Sequence, residues 1–109
     1  MLVAQKTPKR YLRYLDEHQY AYHCIGRDAV NLRQALNLLF EEYHARTIMT
    51  DTGSVLGNLF LNQGLVDEIR FLVHPVLVGK KSYGMFHDLE RKCTVTLMKS
   101  ERLEQQYIW

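Results

Sequence analysis

The chain has 109 residues, with 14 Lys and Arg against 12 Asp and Glu, a net charge of +2, and 47% apolar and 24% charged residues. That is the make-up of a folded globular chain, one domain spanning 1–109 or part of one; it speaks against disorder and excludes a multi-domain assembly. A charge of +2 without a basic stripe speaks against nucleic acid as a partner; the apolar runs fall far short of a bilayer span and residues 1–4 are too short for a signal peptide, so no membrane is expected and the location is expected to be cytoplasmic.

In chain order, Leu2-Val3-Ala4 is a short apolar run ended by Lys6-Thr7-Pro8. Tyr11, Leu12, Tyr14 and Leu15 then give one apolar side at helical spacing. Residues 20–25 are aromatic and β-branched, stop at Gly26, and read as a strand. Leu32, Ala35, Leu36, Leu39, Phe40 and Tyr43 recur at i, i+3, i+4, i+7, i+8 and i+11, the clearest helix, with Asn31 as N-cap and Gln34 three residues on. Residues 47–50 (Thr-Ile-Met-Thr) read as a short buried strand. Asp51-Thr52-Gly53-Ser54 is a turn with capping chemistry, and Val55, Leu56, Leu59 and Phe60 carry a helix to Gly64, a C-cap.

Residues 69–73 and 76–78 predict one near-continuous apolar strand broken at His74-Pro75, where the missing N–H calls for a bulge or an edge. Residues 79–84 form a loop. Residues 93–98 alternate as a strand does, and 103–109 read as another. The order β-α-β-α-β-α-β-β-β implies an α/β fold: a mainly parallel sheet covered on both faces by helices, with antiparallel strands at the C-terminal end. Cys24 and Cys93 fall in apolar, strand-like surroundings and are expected as two reduced, buried thiols.

The most informative stretch is Asp51-Thr52-Gly53-Ser54, at the end of a strand and the start of a helix. Ligands in open α/β sheets bind outside the carboxyl ends of strands, and the free N–H groups and dipole of a helix N-terminus attract phosphate. Gly53 lets backbone approach a ligand, and Asp51 can accept hydrogen bonds from ligand hydroxyl or amine groups. On the residues alone, a plainer reading ranks ahead: Asp51 or Thr52 caps the helix and Gly53 makes the turn.

Asp51-Thr52-Gly53-Ser54-Val55-Leu56, then Gly64-Leu65-Val66-Asp67-Glu68-Ile69, then His74-Pro75-Val76-Leu77-Val78-Gly79 together resemble the C-terminal half of the riboflavin-biosynthesis reductase domain, the RibD C-terminal family with its dihydrofolate-reductase-like fold. The resemblance spans most of the chain and is most specific from about Thr47 to Gly79. It implies a three-layer sandwich, present in part, and an NADPH-dependent reductase that opens the sugar of a ribosylamino-pyrimidine phosphate to a ribityl chain. It places Gly53, Ser54, Val55 and Leu56 against the cofactor, with Gly57, Asn58 and Leu59 behind them, and Asp51 against a small nucleotide-like substrate. No catalytic residue is assigned. The family's tendency to dimerise, together with uncovered apolar strands, leads to an expected homodimer or higher oligomer with residues 69–78 or 93–98 near the interface.

This chain departs from the family pattern at several positions. Asp51 stands where the family has Glu, Thr52 and Ser54 stand where it has glycines, and Gln5 stands about where it often has Ser. The family's N-terminal half has no counterpart here, so the chain is expected to be a truncation or one part of a domain. The alternative function is a non-catalytic remnant of the fold that self-associates, with nucleotide binding weak or lost.

Other groups have plainer readings. Asp67-Glu68 sit between a helix end and a strand start, where charge faces solvent. His23, Cys24, His87 and Cys93 lack metal-ligand spacing, so no metal is expected. His18 and His44 lie near helix C-termini, where a cation suits the dipole. Tyr11, Tyr14, Tyr20 and Tyr22 suggest a core or interface cluster, and Lys80-Lys81 a solvated loop.

Overall fold

A computed structural model describes residues 1–77, 79, 84–103 and 107–108. It is a small α/β structure with three helices and a two-stranded parallel sheet. The chain divides into two compact units, Met1–Thr50 and Asp51–Trp109.

In the first unit, β1 (Leu2–Val3) pairs in parallel with β2 (His23–Cys24), Leu2 opposite His23 and Val3 opposite Cys24. The ladder runs on past both strands: Ile25 N–H donates to Val3 C=O at 2.7 Å, Gln5 N–H to Gly26 C=O at 3.0 Å and Lys6 N–H to Arg27 C=O at 2.9 Å. Between the strands lies α1 (Lys9–Glu17), which follows a turn closed by the Thr7 hydroxyl accepting from Ala4 N–H at 3.1 Å. Pro8 stands at its N-cap, where a missing N–H leaves nothing unsatisfied. The helix ends at His18, and Gln19 at φ 55° turns the chain back toward β2.

Gly26 then makes the sharpest turn. Its φ is +87°, and a Cβ there would run into Ala29 O and lie 2.7 Å from Asn31 N, so only glycine fits. α2 (Leu32–Tyr43) starts where the cap residue predicts: Asn31 Oδ1 accepts from Gln34 N–H at 3.0 Å. Val3, Ala4, Leu15, Ile25 and Ala35 are the buried apolar residues, drawn from the β1, α1, β2 and α2 regions in turn. The expected stripe of α2 is only partly covered: Ala35 is buried, Leu32, Leu36 and Leu39 are half-buried, and Phe40 and Tyr43 near the end are exposed.

The second unit holds α3 (Ser54–Asn62) and a short antiparallel pair, β3 (Arg102–Leu103) with β4 (Tyr107–Ile108). Gly64, at φ +62°, closes α3 as expected, one residue beyond the Gln63 cap; Leu65 N–H returns to Phe60 C=O at 3.0 Å. Both groups of the Asn62 amide hold the 88–90 segment: Nδ2 donates to Asp88 C=O and Oδ1 accepts from Glu90 N–H, each at 3.0 Å. Phe71 and Phe86 meet edge to face at 5.8 Å.

Several expectations are corrected. Residues 47–50 are not a strand; they make no backbone ladder with a described residue, and Met49 is 88% exposed. Residues 69–77 are not a strand either: beyond an isolated bridge at Val73, a tight turn with Val76 N–H donating to His74 C=O at 2.8 Å redirects the chain at the proline. Residues 93–98 also make no strand, with Val95, Leu97 and Met98 exposed. An alternating pattern supplies side chains for a pleated face, but a strand exists only where a neighbour completes its hydrogen bonds. The single strand expected over 103–109 is instead split between two antiparallel strands, Leu103 lying in β3 opposite Tyr107 in β4. The expected mainly parallel sheet is thus reduced, among the described residues, to β1 and β2. Both Cys24 and Cys93 are exposed rather than buried, because the faces they occupy are uncovered. Val78, Lys80, Lys81 and Trp109 lie outside the described residues.

Candidate cofactor site

The first turn of α3 is built from residues 51–56. Gly53 is the N-cap, in extended conformation at φ −68° and ψ 178°, and no side chain caps the helix. The capping role considered for Asp51 or Thr52 is therefore not the one these residues take, and Gly53 does not use a positive φ. Gly57 N–H bonds to Gly53 C=O at 3.1 Å, and among the described residues no group accepts from the N–H of Ser54, Val55 or Leu56. These three donors, on the positive end of the helix dipole, suit an anion. Nothing lies within 4 Å of a Cβ added at Gly53, so there is open space beside them.

Asp51, Thr52 and Gly53 are exposed, and Ser54 is half-buried. The Thr52 hydroxyl lies 3.9 Å from where a Cβ on Gly57 would be, which places its side chain against the start of α3. Behind the first turn, Asn58 is 2% exposed, and neither Oδ1 nor Nδ2 has a hydrogen-bond partner. It is the only buried residue of the second unit among those described. Leu59, by contrast, is exposed. The turn, the donors and the orphaned amide fit a phosphorylated cofactor: free N–H groups for phosphate, space at Gly53, and a buried amide without a partner.

The other singled-out residues fall elsewhere. Asp67 and Glu68 are exposed, and Glu68 pairs with Arg70 at 2.7 Å, in keeping with a solvated turn. His87 accompanies Asp88 at 3.0 Å, and among the described residues no group of three or more His, Cys, Asp or Glu could hold a metal. His18 and His44 do sit at the C-caps of α1 and α2, and His18 Nδ1 bonds the Tyr14 carbonyl at 2.8 Å. Tyr11, Tyr14 and Tyr20 join His18 in a ring cluster on and just after α1, Tyr14 and His18 being 4.2 Å apart, but the cluster is exposed rather than core. Tyr22 stands apart from it; its partial burial, and then the Asp16 carboxylate it bonds, push its phenol above the ordinary value.

One arrangement has no signal in the sequence. His23 Nε2 and the Tyr43 hydroxyl share a 2.7 Å hydrogen bond, with Glu42 3.9 Å from His23 Nδ1. The residues are about a fifth of the chain apart, and only the folding of the first unit brings them together. A shallow depression of about 280 Å³ near the end of α2 is lined by Phe40, Glu41, His44 and Arg46.

No helix among the described residues is long and apolar enough to cross a membrane. Comparison with curated proteins and with solved structures gives no match. The family model of the RibD C-terminal domain matches residues 1–109, the full length given. With its glycine turn leading into α3 and a match over its whole given length, this chain belongs to the RibD C-terminal domain family, a riboflavin-biosynthesis reductase-like family.

Proposed function

We propose that this chain carries the cofactor-phosphate half of an NADPH-dependent reductase site acting on a ribosylamino-pyrimidine phosphate, within a partial dihydrofolate-reductase-like sandwich. The observation that carries the reading is the first turn of α3, where three N–H groups without a described acceptor open onto free space at Gly53. Ser54, Val55 and Leu56 bind cofactor phosphate through these groups, Gly53 keeps the approach clear, and Gly57, Asn58 and Leu59 stand behind them. Asp51 accepts from a substrate hydroxyl. NADPH, when bound, supplies the hydride that reduces the ribose carbon. The chain's own contribution is to bind and orient, and no residue here is assigned to proton transfer.

Thr52 and Ser54, in place of the family's glycines, make the affinity weak. Losing about 4 kcal/mol of contacts raises a dissociation constant about a thousandfold, from micromolar to millimolar. Fluorescence titration with NADPH tests this: saturable millimolar binding supports the reading, tightened or unchanged by Thr52→Gly, whereas no saturation removes it.

A second reading is a self-associating, non-catalytic remnant. It is favoured by the exposed apolar side chains of Phe71, Leu72, Val73, Val76, Val95 and Leu97, surface that invites pairing with a second copy. A homodimer or higher oligomer follows under both readings, and a monomer at micromolar concentration in light scattering contradicts it. Turnover of the pyrimidine substrate by the isolated chain separates the two readings.

A further inference from the structure

We infer that the buried Asn58 amide recognises a sugar hydroxyl next to the phosphate, so that the α3 site takes a phosphorylated ribose in preference to a bare phosphate. The inference rests on the phosphate reading above and goes further, to what lies beside the phosphate. Two observations carry it. Asn58 is 2% exposed and both its polar atoms lack partners, which destabilises the folded chain unless a ligand completes them. In addition, a helical side chain leans toward the helix N-terminus and lies over the turn three to four residues before it. For Asn58 that turn is Ser54 and Val55, where the donors without a described acceptor are.

Asn62 shows what such an amide does when it is satisfied. One helical turn later on the same side of α3, it donates to one backbone group and accepts from another. Asn58 offers the same pair of functions to nothing. A phosphate only accepts: it would take the Nδ2 donors and set negative charge against Oδ1. A hydroxyl both donates and accepts, and the neighbouring hydroxyls of a ribose do so twice. A ribose carrying a phosphate therefore satisfies the helix donors and the amide together. Asn58 is enclosed, so contact with a ligand requires its surroundings to open; the neighbouring 51–53 turn is exposed, and none of its N–H groups is held by a described residue.

Both the cofactor and the proposed substrate contain a phosphorylated ribose, and the experiment separates them. The full chain and Asn58→Leu are titrated by calorimetry with inorganic phosphate, ribose 5-phosphate and NADPH, and their melting temperatures are measured without ligand. The parent should bind ribose 5-phosphate about tenfold more tightly than phosphate, the worth of one well-placed hydrogen-bond pair. Asn58→Leu, similar in size but without polar atoms, should erase that preference and raise the melting temperature. If NADPH affinity falls with it, the ribose recognised is the cofactor's; if NADPH affinity holds while the ribose 5-phosphate preference is lost, it is the substrate's. Should the leucine overpack the site and prevent folding, Asn58→Ala carries the same binding comparison. Phosphate binding with no preference for ribose 5-phosphate overturns this inference alone. No binding of any of the three overturns the phosphate reading as well. A preference that survives Asn58→Leu, with a lowered melting temperature, shows the amide to be structural and overturns the inference.

Discussion

The two units of this chain use similar amounts of sequence very differently. Met1–Thr50 alternates strand and helix, pairs β1 with β2, and seals Val3, Ala4, Leu15, Ile25 and Ala35 into one apolar core. Asp51–Trp109 has a comparable apolar content, yet its only buried described residue is the polar Asn58, and its strand-like stretches at 69–77 and 93–98 form no strand. The difference shows that apolar content alone does not make a core. The first unit closes its strand pair within a β-α-β unit and encloses Val3, Leu15, Ile25 and Ala35; the second leaves Val55, Leu72, Val76, Val95 and Leu97 exposed to solvent.

If that contrast is right, substitutions in the first unit should be costly and those on the apolar stretches of the second should not. The largest effect is expected from Leu15→Ala. Leu15 is fully buried, and truncating such a leucine removes about 2–5 kcal/mol, read as a shift in the denaturation midpoint. Next is Gly26→Ala, which forces a side chain into backbone at a positive φ and should lose about 1–3 kcal/mol in the same assay. Asn31→Ala removes the cap on α2 and should lose about 1 kcal/mol, with a matching drop in helical circular dichroism. Smallest is Leu97→Lys in the second unit, expected to change stability by less than about 0.5 kcal/mol because the side chain is already exposed. Light scattering should nevertheless show weaker self-association. A loss comparable to that of Leu15→Ala would mean that Leu97 is covered, and the contrast between the units would fail.

What could be read from the sequence follows the range of the interactions involved. α2 was legible to the residue, because its apolar spacing and the Asn31 cap act over three or four positions. The Gly64 turn was legible for the same reason. The strands at 47–50, 69–78 and 93–98 were misread because a ladder depends on a partner remote in sequence. The glycine turn was found, but not its conformation: Gly53 is an extended N-cap, and the sequence cannot distinguish that from a left-handed turn. Asn58 was placed behind the cofactor contacts by resemblance, while its burial without a partner emerged only from packing. The His23–Tyr43 bond had no local signal at all.

The central claim is that the first turn of α3 is where the cofactor's phosphate binds, and Gly53→Val tests it most directly. Because Gly53 has an ordinary extended φ and open space around it, valine should be accommodated without strain in the folded chain, yet its branched side chain would occupy the phosphate's approach. NADPH titration of the parent and of Gly53→Val, at equal melting temperature, should show saturable millimolar binding for the parent and none for the variant. Equal binding by the two proteins would contradict the assignment of the site to α3.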